Sequence, residues 1–184
     1  MLGILMMKGP RLLPKRYSGV TMIELMVTIA VLAILLTIAV PSASELIKNS
    51  RVASQNNELV SLAAFARSEA IRRSATVPLI ITATTNGWNA VVKDPAEEAD
   101  VVGCVAGQLR CASNSQVTLT SGSVTLNFNS RGYIRASADP FERETIYLEH
   151  EDCSGDRQRR RIDILPTGQI TSCSLKCGDG DTAC

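Results

Sequence analysis

One carboxylate, Glu24, sits inside a run of 21 residues, Val20 to Val40, that is otherwise uncharged and mostly apolar. Ionised in hydrocarbon, such a group costs ~2.5–3.5 kcal/mol even on lenient insertion scales, so it requires a cationic partner. The second half of the chain carries a different chemistry. Cys104, Cys111, Cys153, Cys173, Cys177 and Cys184 make an even set of six. In a small body behind an export-like N-terminus, that set points to disulfides and an oxidising compartment. Cys104 and Cys111 are spaced to close a surface loop. A hairpin could bring Cys153 to Cys173, which leaves Cys177 and Cys184 to tie the tail; other connectivities stay open. No histidine lies near the last three cysteines, so neither a metal nor another cofactor is expected.

Enzyme constellations do not stand out. His150 is the single histidine, and its surroundings, Glu149-His150-Glu151-Asp152, read as a solvated strand end. Asp179-Gly180-Asp181 lacks the further ligands of a calcium loop. Arg157, Arg159, Arg160 and Arg161 place four guanidinium groups within five residues, a candidate contact for DNA with Arg131 and Arg135. Glu149, Glu151, Asp152 and Asp156 balance them, which is the arrangement of an ordinary solvated strand. The whole chain has 19 basic and 18 acidic residues. From Val20 onward the count is 15 basic against 18 acidic, the wrong sign for a broad phosphate-binding face.

The elements that must hold these groups follow from pattern. As a helix, Val20 to Val40 spans ~30 Å, the thickness of a bilayer core. Lys8, Arg11, Lys15 and Arg16 precede it and no base follows until Lys48, so the leader stays in the cytoplasm and the remainder lies outside. A cleaved signal peptide has a shorter apolar core of ~7–15 residues, and a bare anchor leaves Glu24 unexplained. Ser18-Gly19-Val20-Thr21-Met22-Ile23-Glu24-Leu25-Met26 resembles the processing motif of type IV pilins and type II secretion pseudopilins. The resemblance implies that a prepilin peptidase cuts between Gly19 and Val20 and N-methylates Val20. It also implies that Glu24, then the fifth residue, pairs with the N-terminal ammonium of a subunit during assembly. Cleavage thereby makes the cation that the buried acid lacks.

Residues 1–19 are then a leader, 20–41 a helix of the membrane or filament core, 42–74 its amphipathic continuation and 75–184 a β-rich domain. Pro41 is expected to kink the helix. Leu46, Ala53, Val60, Ala64 and Ile71 recur at helical spacing, with Ile47, Leu59, Leu62, Ala63 and Ala70 beside them, and predict one buried stripe. Beyond Ala75, β-rich runs are expected at 76–83, 88–93, 116–120, 124–129, 145–148, 161–165 and 169–172. Turn signals such as Asn86-Gly87, Arg131-Gly132 and Thr167-Gly168 separate them. The fold class is α+β, a long N-terminal helix on antiparallel sheet.

Phe65-Ala66-Arg67-Ser68-Glu69-Ala70-Ile71-Arg72-Arg73 is similar to the helix end of the GspH/FimT/FimU branch of minor pilins, and Trp88-x2-Val91-Val92-x-Asp94 to its Trp-containing strand. The implied function is structural: a non-enzymatic minor subunit of a type IV pilus, with a GspH-type pseudopilin of type II secretion as the alternative. The implied partners are prepilin peptidase, other minor and major pilins or pseudopilins, and the inner membrane before assembly, with the C-terminal domain periplasmic. Some FimT-type pilins bind DNA through a C-terminal Gly-Arg-x-Arg; the matching place here reads Gly168-Gln169-Ile170-Thr171, without either arginine.

Overall fold

The computed structural model describes residues 19–136 and 143–179. Its chain divides into two units, Met1–Pro41 and Ser42–Cys184. The helix α1 spans Met22–Arg73 with Pro41 inside it. In the first unit, the large apolar side chains from Met22 to Val40 are between 49% and 81% exposed, so that stretch has no core of its own. Its two internal threonines are already satisfied. Thr28 Oγ1 donates to the Leu25 carbonyl at 2.8 Å and Thr37 Oγ1 to that of Ile34 at 2.7 Å. An apolar stretch with its hydroxyls capped can be moved out of water without leaving those donors unmet.

The second unit is a helix on two antiparallel sheets, the α+β arrangement expected. One sheet has the order β3-β2-β1-β5-β6, from β1 (Val77–Thr84), β2 (Gly87–Lys93), β3 (Gln108–Asn114), β5 (Val124–Phe128) and β6 (Ile134–Ala136). The other has the order β4-β7-β8-β9, from β4 (Val117–Leu119), β7 (Glu144–His150), β8 (Arg159–Ile164) and β9 (Ile170–Leu175). Every strand anticipated from the sequence forms; β3 and β6 were not anticipated. Both unforeseen strands are sheet edges, and β3 (Gln-Leu-Arg-Cys-Ala-Ser-Asn) is half-exposed and polar, without the alternation that marks a strand.

Alternate residues of β1, β2, β5, β7 and β8 meet the helix in one core. Val52, Leu59, Leu62, Ala63, Ala66 and Ala70 supply the helical side of it, and Trp88, Phe128, Ile146, Ile162 and Ile164 are among the strand residues opposite. This corrects the expected stripe. Leu46, Ile47, Ala64 and Ile71 are exposed, and the buried line is rotated toward Leu59, Leu62, Ala63 and Ala70. The small residues Ala63, Ala66 and Ala70 let the sheets come close, while Asn56 is buried in the same line. Its Nδ2 donates to Ser172 Oγ on β9 at 3.2 Å, which meets one end of an amide that periodicity would place in solvent, while Oδ1 has no partner among the described residues.

Glycine acts here through space as much as through conformation. The hairpin between β1 and β2 turns on Thr85 and Asn86, and Gly87 begins the return strand opposite Thr84. A Cβ at Gly87 would overlap the carbonyl of Asn114, so the glycine of the Asn-Gly signal serves a close backbone approach instead of the turn itself.

Candidate functional site

The first turn of α1 holds the lone acid. Thr21 is the N-cap: its Oγ1 accepts the Glu24 N–H at 3.2 Å, and its carbonyl accepts the Leu25 N–H at 3.1 Å. Thr21-x-x-Glu24 is thus half of a capping box, a signal readable in the sequence itself. The negative carboxylate lies at the positive end of the helix dipole. It is exposed, and no ion pair among the described residues takes it. Glu24 is also the only charged residue between Arg16 and Glu45. Thr21 thus orders the backbone of the turn that carries the Glu24 carboxyl.

At the other end of α1, the Phe65–Arg73 motif forms a charged clasp. Arg73 Nε donates to Glu69 at 2.8 Å and its Nη1 to Asp94 Oδ1 at 2.8 Å. Asp94 is buried and also accepts the N–H groups of Ala96 (3.1 Å) and Ala99 (2.9 Å), so it fixes the start of the loop between β2 and β3. Arg72 and then Arg73 hold the Glu69 carboxyl down at about 2. Its contribution is complete above the ordinary carboxylate range and fades only as pH falls toward that value. Trp88 is buried in the core.

Two bridges are present with both ends among the described residues. Cys104–Cys111 closes the expected surface loop, and Cys153 pairs with Cys177, with Cα atoms 5.7 Å apart in each. The second corrects the expected Cys153–Cys173 pairing. In the ladder Cys173 lies opposite Arg161, inside β9, whereas Leu175 lies opposite Arg159. The chain leaves β9 beside the loop that carries Cys153, so a residue beyond the strand reaches it and one within the strand does not. Cys177 N–H also approaches the Gly155 carbonyl at 3.4 Å. Cys173 is itself disulfide-bonded, and Cys184, with Gly180 and Asp181 of the Asp-Gly-Asp sequence, lies outside the described residues. Glu149, Cys153 and Cys177 bring ligand-type atoms within 4.8 Å of one another, but the bridge uses both sulfurs.

The arginine run is divided by strand alternation. Arg159 and Arg161 face one side of β8 with Asp163, and Arg160 faces the other with Ile162 and Ile164. Arg159 lies over the Tyr147 ring at 4.8 Å, approaches Glu149 at 3.8 Å and donates to the Asp179 carbonyl. Arg161 is buried and pairs with Asp163 at 2.9 Å. Arg157 is exposed in the preceding turn, with φ of 65°. The four guanidinium groups therefore do not share one open face. Arg135 is exposed on β6 of the other sheet, and Arg131 is exposed in the turn before it.

His150 is buried at the end of β7 instead of solvated as the sequence suggested. Its Nδ1 accepts the Asp152 N–H at 3.1 Å, and its Nε2 has no partner among the described residues. Burial, then the charge of Lys48, lowers its pKa, with Arg51 adding to this and Asp152 and Glu151 opposing. The neutral form is favoured in the fold, so the contribution to stability is present above the unfolded value of ~6.5 and lost as pH falls through the lower folded value. The thermal midpoint of residues 45–184 should fall on acidification below neutrality. His150→Gln, which retains an acceptor, should flatten that part of the profile; an unchanged profile in circular dichroism melts would count against this origin.

Comparison with known proteins falls on the same two parts of the chain. Residues 14–40 match the prokaryotic N-terminal methylation motif, and residues 55–168 match the type II transport protein GspH. No curated protein matches the chain. Two crystal structures of the type IV minor pilin FimU of Pseudomonas aeruginosa (strain PAO1) are similar to it. The P21 form has 20% identity over 66% of this chain and 87% of that one, with a TM-score of 0.49. The P65 form has 21% identity over 65% and 90%, with a TM-score of 0.47. A methylation motif on an apolar N-terminal helix, followed by a GspH body, defines a pilin-like protein. The chain belongs to the GspH family, as a minor pilin or pseudopilin.

Proposed function

We propose that this chain is a non-enzymatic minor subunit of a type IV pilus, released from its leader (1–19) by prepilin peptidase between Gly19 and Val20 and N-methylated on Val20. Residues 20–41 hold it in the inner membrane, with 42–74 and the β-rich domain 75–184 in the periplasm. On assembly with other minor and major subunits, the Val20 ammonium of the filament neutralises Glu24. Pro41 lacks an N–H and so weakens the helix where the apolar stretch ends. The observation that carries this reading is the lone Glu24, its backbone N–H capped by Thr21, on a helix whose apolar side chains from Met22 to Val40 are bare. Lipid and neighbouring helices are similarly apolar, so the transfer need not forfeit hydrophobic stabilisation.

The GspH family match favours a second reading, a pseudopilus of type II secretion. Recovery of the subunit in sheared surface filaments supports the pilus; retention with loss of protein secretion on deletion supports the pseudopilus. DNA is not among the partners proposed, because Arg159 and Arg161 are already engaged with Tyr147, Glu149 and Asp163. Intact mass and N-terminal sequencing of membrane-derived protein test the processing step. The expected chain begins with methylated Val20; one beginning near Ser44 would mean ordinary secretion and end the pilin reading.

A further inference from the structure

A groove of about 480 Å³ runs along the exposed side of α1, floored by Val60, Ala64 and Ile71 of the helix and Ile170 of β9. Its size is within the ~300–1,000 Å³ of ordinary binding clefts. Ile71 is 49% exposed there. The rim is basic. Arg67 lines the groove; its Nη2 donates to the Thr167 carbonyl at 3.3 Å, and its Nε is buried without a hydrogen-bond partner among the described residues. Arg131 is exposed in the turn where Gly132 abuts both Arg67 and Ile71. None of the ion pairs among the described residues takes either arginine.

The same unit carries a shape of opposite character. The loop from Asp94 to Gln108 presents Val102 fully exposed and Val105 70% exposed, preceded by the exposed acids Glu97, Glu98 and Asp100. No ion pair among the described residues takes these acids. The loop is held at one end by Asp94, which accepts the N–H groups of Ala96 and Ala99, and at the other by the Cys104–Cys111 bridge. A tip held in this way loses little conformational freedom on docking.

We infer that the Val102 tip of one copy seats in the Val60–Ala64–Ile71 groove of a second copy, with Glu97, Glu98 and Asp100 set against Arg67 and Arg131. The occupant is a second copy because both halves, opposite in charge, are on one chain. The loop joins β2 to β3, at one edge of the sheet, whereas the Gly132 turn leads into β6 at the opposite edge. The contact is therefore heterologous, the tip of one copy against the groove of the other. Charge complementarity sets the register while the valines supply the apolar contact.

The test is photo-crosslinking in membranes that contain the full-length chain with benzoylphenylalanine in place of Val102. The expected product has twice the subunit mass, with the crosslink within residues 60–71. Ala64→Glu places a charge on the exposed floor without touching the core and should abolish the product. Arg131→Glu should lower the yield about fivefold, the upper range for one exposed ion pair, and Glu97→Arg with Glu98→Arg should restore it. No dimer, attachment at another segment, attachment only to a different protein, or failure of the charge exchange to restore the yield would overturn the inference.

Discussion

Glu24→Ala should leave the chain processed and membrane-bound but reduce its recovery in filaments about 100-fold or more. Removing one member of a buried ion pair costs ~3–5 kcal/mol because the other charge stays buried alone, and each ~1.4 kcal/mol is a factor of ten. The stranded group here is the Val20 ammonium of the proposed assembly step. The substitution also removes the one charge that makes the apolar stretch costly in lipid, so the membrane form gains while the filament form loses. Glu24→Gln should behave like Ala, since it cannot neutralise an ammonium. The measurement is the ratio of subunit in sheared filaments to subunit in membranes. Equal ratios for wild type and Glu24→Ala would remove the ion pair from the account.

Gly168→Ala should destabilise the folded domain by about 4 kcal/mol, among the larger losses for one methyl group. Gly168 has φ of 76°, where a side chain costs ~1–2 kcal/mol through conformation alone. The larger part is steric. A Cβ there would overlap the Gly132 carbonyl oxygen and crowd the Arg67 guanidinium. The Gly168 turn closes β8 onto β9, and Ile134 N–H on the neighbouring sheet donates to Pro166 of the same turn at 3.0 Å. Moving the turn therefore disturbs both sheets. Gly122→Ala is the control: φ is 81°, but nothing lies within 4 Å of the added atom, so only the conformational part remains. Thermal melts of residues 45–184 should fall by on the order of 10 °C for Gly168→Ala and much less for Gly122→Ala. Equal falls would show that the crowding has no energetic weight.

The parts of the fold legible in the sequence were those set by one dominant pattern. Val20 to Val40 is apolar throughout, Ile162 and Ile164 alternate with Asp163, and Pro166-Thr167-Gly168 marks its hairpin. The helix stripe was legible in existence but not in phase. Leu46 and Ile71 are the bulkier residues, whereas contact with the sheets selects the smaller Ala63, Ala66 and Ala70 for close approach. The edge strand β3 was not legible because half-exposed pairing accepts polar residues that look like loop. Cys153–Cys177 was missed because strand register, not sequence separation, decides which cysteine leaves the sheet beside Cys153. Within the candidate site, Glu24 was evident from its charge alone; its cap by Thr21 was equally readable, and the engagement of the arginines with Tyr147 and Asp163 was not.

The bridge between Cys153 and Cys177 also orders events in time. Under the proposed periplasmic placement the domain emerges from α1 toward β9, so the bridge waits until residue 177 has followed. Until then the second sheet lacks a boundary strand, and Asn56 on the helix lacks the Ser172 hydroxyl to which it donates. In that order the Cys104–Cys111 loop can close well before the Cys153–Cys177 lock.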